Sequence, residues 1–334
     1  MRCPDCNHFQ KYRSGTRCGQ CGYRFVFRKK TDDIADFTLR QMIQRLSDNG
    51  QYAFTATQLA LVLCRHWRRS AWGPIGCGLI ALLVPVGVLI INGQGLIGAL
   101  LFVVALPLII HLSRRQATVL PFNKASDLIR RYHQAHPIAG LADGTAFAQQ
   151  SPPLDDLQDL YYAPERILVV ERDELVDLLV RNRFHLTAKT AVISQSGYPA
   201  HLLAACREFL RRHPQTPVQL LHDASTQGFA LAARLAADPQ WPLAPHPLAD
   251  LGITKDALDR NARLPWLPAG PKTEGAYSAD HPRMLRAGHR VPVDSLGPKP
   301  LLSLLSAAVV SGALLLVAQD ALGSLEMGVE VDYG

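Results

Sequence analysis

Four cysteines near the start of the chain carry its most definite chemistry. Cys3-Pro4-Asp5-Cys6 and Cys18-Gly19-Gln20-Cys21 are two C-x-x-C pairs with eleven residues between them. Two thiolates at this spacing can face one ion across a tight turn, and two such pairs close a tetrahedral four-sulfur shell of the kind zinc takes. Four protein ligands leave no open position, so the metal is expected to be structural. Gly22 follows the second pair, where the turn calls for a residue that tolerates positive φ. His8 is surplus to the set and reads as a loop residue. Two disulfides are the competing reading, and so short a region has little other core to stabilise it.

A second group of chemically competent residues sits at the ends of apolar runs. Ile167–Val170 leads into Glu171, and Val218–Leu221 leads through His222 into Asp223. A third run, Thr190–Ser194, is followed by Gly197-Tyr198-Pro199. Between these runs, Leu175, Leu178 and Leu179, and then Leu202, Leu203, Cys206, Phe209 and Leu210, recur at helical spacing. Strands alternating with helices imply a parallel α/β sheet, and in such sheets chemistry gathers at the carboxyl ends of the strands. Glu171 and Asp223 both fall there. Other constellations are absent from the sequence: no G-x-x-x-x-G-K-[ST] run marks a P-loop, and Ser194 and Ser196 lack a G-x-S-x-G setting.

The cysteine region resembles a zinc ribbon. The segment from about Arg166 to Leu235 resembles the Toprim domain, specifically that of the topoisomerase VI A subunit family. Four pieces carry the resemblance, in order: Val169-Val170-Glu171, the basic-aromatic patch Arg181-Asn182-Arg183-Phe184-His185, Gly197-Tyr198-Pro199, and Asp223-Ala224-Ser225-Thr226-Gln227-Gly228 in place of Asp-x-Asp-Pro-Tyr-Gly. The resemblance implies a magnesium site built from Glu171, Asp223 and the position of Ser225, supporting phosphodiester cleavage. Here the second Asp of that motif is Ser225. Magnesium favours carboxylate oxygen, so the exchange weakens the implied site. Asp173 and Glu174 stand as alternative sources of a third acid. No counterpart of the family's nucleophilic tyrosine domain is evident.

Charge and hydropathy set these parts in a larger frame. The 334 residues are 48% apolar and only 19% charged, which excludes a mostly disordered chain, and seven cysteines are too few for a disulfide scaffold. Residues 1–69 hold 13 Lys/Arg against 5 Asp/Glu, while the rest of the chain is nearly neutral. From Ser70 to Ser113, 44 residues contain no Asp, Glu, Lys or Arg. That is long enough for two membrane helices, read as Trp72–Ile91 and Leu96–Leu112, joined by the turn Asn92-Gly93-Gln94-Gly95. Arg65, Arg68 and Arg69 flank one end and Arg114 and Arg115 the other, which places both ends in the cytoplasm by the positive-inside rule. Leu301–Ala318 is a third uncharged run, readable as a further span or as a buried helix.

The expected organisation is therefore multi-domain. It comprises a zinc ribbon (1–30), a helical adaptor (31–69), a two-span membrane hairpin (70–113), a linker (114–160), a Toprim-like α/β domain with a parallel sheet (161–270), a Pro-rich linker (271–299), a possible third span (300–319) and an acidic tail (320–334). The expected function is a membrane-anchored cytoplasmic scaffold in the inner membrane. It would hold structural zinc, and a metal-degenerate Toprim-like domain would bind a protein or nucleic-acid partner. The alternative is a membrane-tethered, magnesium-dependent nuclease or phosphoryl-transfer enzyme using Glu171 and Asp223. The basic ribbon suits either nucleic acid or the anionic lipid bilayer surface.

Overall fold

The structure is a computed structural model that describes residues 1–68, 121–148, 164–239, 241–243, 246–254, 258, 264–268 and 283–311. The hairpin expected over 70–113 and the tail over 320–334 lie outside the described residues. No helix among the described residues is long and apolar enough to cross a membrane.

The ribbon rests on a helical module. Helix α1 spans Asp36–Leu46, α2 covers 56–68 and α3 spans Phe122–Ala135. Leu39 and Met42 of α1, Leu59 and Leu63 of α2, and Leu128, Ile129 and Tyr132 of α3 meet in one apolar core, which Phe27 closes from the ribbon side. The spacing of three and four residues puts each set on one helical face. Asp36 opens α1 and is buried; its carboxylate accepts the amides of Val26 and Phe27 at 3.0 and 3.2 Å. This ties the ribbon's exit strand to the start of the helix. The segment expected as a linker thus supplies a third of this core, because Leu128, Ile129 and Tyr132 form a continuous apolar stripe that needs burial. Two short strands, β1 (Phe54–Thr55) and β2 (Leu141–Ala142), pair in parallel and bring the module against the next one.

The α/β module is built on a four-stranded parallel sheet. Its strands are β3 (Arg166–Val170), β4 (Thr190–Ser194), β5 (Val218–Leu221) and β6 (Leu248–Asp250), in the order β4-β3-β5-β6. The central strand β3 is apolar on both faces, as a parallel strand covered on both sides must be. Ile167 and Val169 join Cys206 and Leu210 of α5 (Ala200–Arg212) and Leu231 and Leu235 of α6 (Leu231–Ala237). Leu168 and Val170 join Leu175, Leu178 and Leu179 of α4 (Asp173–Arg181) on the other face.

That second face is also covered by the C-terminal helix α7 (Pro298–Ser311). Leu301, Leu305, Ala308 and Val309 are buried in the same cluster, and Gln219 of β5 donates to the Val309 carbonyl at 2.9 Å. Of the run read as a further span or a buried helix, residues 301–311 are described and cover the sheet, and 312–318 lie outside the described residues. Of the segment expected as a Pro-rich linker, residues 271–282 lie outside the described residues, while residues 291–298 are buried against the α/β module. Strand β7 (Leu267–Pro268) pairs antiparallel with β8 (His289–Arg290), Val291 bridges Ala224, and Val293 and Leu296 are buried.

Leu168 is fully buried at the centre of this arrangement. Leu168→Ala is expected to cost roughly 2–5 kcal/mol of stability, whereas Leu248→Ala on the exposed sheet edge should cost less than about 1 kcal/mol. Urea unfolding of the two variants measures the contrast.

Candidate functional site

The four cysteines come together as their spacing requires. Cys3 Sγ lies 3.5 Å from Cys21 Sγ and Cys6 Sγ 3.6 Å from Cys18 Sγ, and all four sulfurs lie within 4.8 Å of one another. Tetrahedral zinc with bonds of about 2.3 Å sets sulfurs about 3.8 Å apart, so the set fits the ion. The two knuckles are built alike. The Asn7 amide donates to the Cys3 carbonyl and the Gly22 amide to the Cys18 carbonyl, at 3.0 and 2.9 Å. Both turns need positive φ, at Asn7 (60°) and Gly22 (78°). The Cys21 amide, opposed by burial, lowers the Cys18 thiol below its ordinary range. His8 is exposed and outside the sulfur set. Behind the knuckles Tyr23, Phe25 and Phe27 are buried while Arg24 and Arg28 are exposed, the alternation their spacing implies. Tyr23 stacks on His136 at 4.4 Å and donates to the Tyr132 hydroxyl at 3.3 Å, fixing the ribbon to α3.

The strand-end acids also converge. Connections from β3 and β5 leave on opposite faces of the sheet, so Glu171 and Asp223 straddle the point where the strand order reverses, the usual crevice of an open α/β sheet. Glu171 accepts the Asp223 amide at 2.7 Å and the Ser225 hydroxyl at 3.4 Å. Burial, with the Asp223 charge beside it, pushes the Glu171 carboxyl above its ordinary range.

Asp223 is fully engaged by protein groups. Its Oδ1 accepts from Arg172 at 3.2 Å and from the Val293 amide at 2.9 Å, and its Oδ2 accepts from Arg290. Burial alone would raise its pKa, but the two guanidinium groups outweigh burial and hold it below the usual carboxylate value. Arg172 also reaches Asp294 at 2.5 Å and pairs with Glu174. Burial disfavours the Arg172 charge; Asp223 and Asp294 together keep it.

Ser225 has a helix role. Its hydroxyl caps the short helix Thr226–Phe229 by accepting the Gly228 amide at 2.8 Å. Gly228 is required by close approach: a Cβ there would stand 2.1 Å from the Asp223 carbonyl oxygen. Asp173 accepts from Ser196 at 2.7 Å. Asp173 and Glu174 line an open cleft of about 610 Å³ with Glu171, Arg172, Asp143 and Gln195. Magnesium does not fit this arrangement as the resemblance implies it, because Asp223 has its oxygens covered by two arginines and an amide, and Ser225 is committed to the cap.

The loop Gly197-Tyr198-Pro199 closes the end of β4. Gly197 has φ of 85°, and the Tyr198–Pro199 bond is cis. The Tyr198 hydroxyl donates to buried Asp177 at 2.5 Å and accepts the Phe147 amide at 2.8 Å. Asp177 also takes the amides of Gly144 and Ala146, at 2.9 and 3.2 Å. The loop therefore anchors residues 143–147 at the rim of the cleft.

Sequence reasoning did not single out Arg172, Arg290, Asp294 or Asp177. For Asp177 a signal existed, an acid within the apolar face of α4. The other three are ordinary surface types, and nothing local marks them. His222 is a buried partner of Asp250 rather than of Asp223's carboxylate. Its Nδ1 lies 2.7 Å from the Asp223 carbonyl and its Nε2 3.0 Å from Asp250 Oδ1. Both neighbours are acceptors, so both ring nitrogens donate when the ring is protonated. Burial opposes the charge, but the Asp250 hydrogen bond and charge, the Asp223 carbonyl and the Glu171 charge together outweigh it, raising the His222 pKa above its ordinary value.

Compared with known family models, curated proteins and solved structures, the chain matches none.

Two outcomes are expected. The wild type should carry one zinc per chain, and Cys3→Ser or Cys18→Ser should lose that zinc and the order of residues 1–30, read by metal analysis and by proteolysis of the ribbon. For His222, a raised folded pKa gives stability that is full below about pH 6.5 and lost as the pH rises through the folded value. The urea midpoint should therefore fall as the pH rises above about 6.5, and Asp250→Asn should flatten that fall.

Proposed function

We propose that this protein is a membrane-anchored cytoplasmic scaffold, with a structural zinc ribbon and a Toprim-like domain that holds a partner without cleaving a phosphodiester. The single observation that carries the reading is the cover over Asp223. The carboxylate that a magnesium site would need is occupied by Arg172, Arg290 and the Val293 amide. A metal entering there would have to break the Asp223 pairs with Arg172 and Arg290, and breaking a buried pair costs several kcal/mol. Ser225 adds no carboxylate.

The anchor rests on the uncharged run from Ser70 to Ser113 and its arginine flanks. On either side of that run, the Lys124 ammonium stands 5.2 Å from the ring centre of Trp67. Flanks held this close suit two antiparallel spans with both ends on one side. The open cleft lined by Glu171, Asp173 and Glu174 is what a phosphoryl-transfer alternative would use.

The test uses the full chain. Incubated with supercoiled plasmid and magnesium, it should produce no nicks, and magnesium should leave its melting temperature unchanged. Magnesium-dependent nicking that Glu171→Ala abolishes would replace the scaffold with a nuclease. In cells, the full chain should resist alkaline extraction from membranes, and a variant lacking 70–113 should be released.

A further inference from the structure

A surface remote from the sheet carries separate chemistry. Among the described residues the exposed large apolar side chains are Phe9, Tyr12, Leu248 and Val310. Two of these four sit three residues apart on the ribbon loop that joins the knuckles. Phe9 is 65% exposed and Tyr12 45%. Interleaved with them, Lys11, Arg13 and Arg17 are exposed as well.

The loop is held in shape from inside. The Gln10 amide donates to the carbonyls of Gly15 and Arg17 at 3.3 and 2.8 Å, and its oxygen accepts the Gly19 amide at 3.0 Å. A neutral side chain thus braces the turn while rings and cations face outward. Asp5, the one acid within residues 1–30, is paired with Arg40. From Asn7 to Gly22 the loop has no Leu, Ile, Val or Met. An interfacial membrane helix uses rings too, but adds Leu-type side chains along a continuous apolar face for burial in the acyl boundary. Flat rings spaced among cations on a braced loop suit unpaired bases and the phosphates between them.

We propose that the ribbon loop is a binding platform for single-stranded nucleic acid, with bases stacking on Phe9 and Tyr12 and phosphates meeting Lys11, Arg13 and Arg17. This goes beyond the scaffold reading and does not depend on it, since no residue of the sheet takes part. Base readout is not implied: stacking tolerates any base, and the cations meet only the backbone.

The test is fluorescence anisotropy of labelled oligo(dT) with the full-length chain carrying zinc. Phe9→Ala and Tyr12→Ala should each weaken binding roughly 10-fold, in the range that loss of one stacked base produces. Changing Lys11, Arg13 and Arg17 together to Gln should reduce the slope of log affinity against log salt by about 2, as expected for three phosphate contacts on a single strand. A duplex of the same length should bind more weakly than oligo(dT). Zinc content equal to wild type confirms that each variant keeps its fold. Aromatic variants that bind oligo(dT) like the wild type would overturn the proposal. So would capture by phosphatidylserine vesicles with no binding of oligo(dT), which would make the loop a lipid-surface contact.

Discussion

The Asp223 carboxylate is the group around which the α/β module is organised. It is buried at the end of a central strand, and its charge is met by Arg172 from the end of the neighbouring strand and by Arg290 from the C-terminal segment. Such a cluster is weak evidence for stability, because desolvating the ions costs about as much as their attraction returns. It is strong evidence for specificity of arrangement. With any one partner missing, the charges of the buried cluster are no longer balanced. The sheet, the segment 289–296 and the loop after β3 must therefore be assembled together.

The same network reaches the other half of the molecule. Asp294 accepts from Arg172 on one oxygen and from Thr55 on the other. Gln58 donates to the Leu296 carbonyl at 2.7 Å and Arg65 to the Ser295 carbonyl at 2.9 Å. Asn182, at the end of α4, exchanges two hydrogen bonds with the backbone of Ala53 at 2.9 and 3.0 Å. The helical module is thus attached to the α/β module by buried polar bonds, which are directional and fix orientation as apolar contact alone does not. The ribbon is tied to the helical module by the Tyr23, His136 and Tyr132 contacts. The cysteine cluster, helices and sheet form one connected structure.

The crevice at the strand switch point is filled by protein. Arg172 and Arg290 occupy the place where a ligand's charge would be neutralised, and Gly228 and Gly252 allow the backbone to press against His222. What remains open is the flank lined by Glu171, Asp173 and Glu174. Burial raises the pKa of both glutamates there, and Arg172 partly offsets the effect at Glu174.

Much of this was legible in the residues. The doubled C-x-x-C pairing dictates a four-sulfur cluster because the spacing is local and the geometry of the turns leaves little choice. The parallel strands β3, β4 and β5 could be read because runs of Ile, Leu and Val buried on both faces have few other solutions, and the turn residues after them showed where each strand stops. Leu128, Ile129 and Tyr132 recur at helical spacing, but the sequence does not show their partner, because periodicity reports a face and never what covers it. For the same reason Leu301–Ala318 could be read as a membrane span or a core helix, and packing against Leu168 and Gln219 decided it for residues 301–311. The fate of Asp223 was out of reach of the sequence. Arg172, Arg290 and Asp294 lie 51, 67 and 71 positions away, and a charge pair formed over such distances leaves no pattern in either segment. The sequence by itself determined the thiolate cluster and the strands that end in acids. Only the tertiary structure decided that those acids are covered, since long-range ion pairs exist only once the chain has brought their partners together.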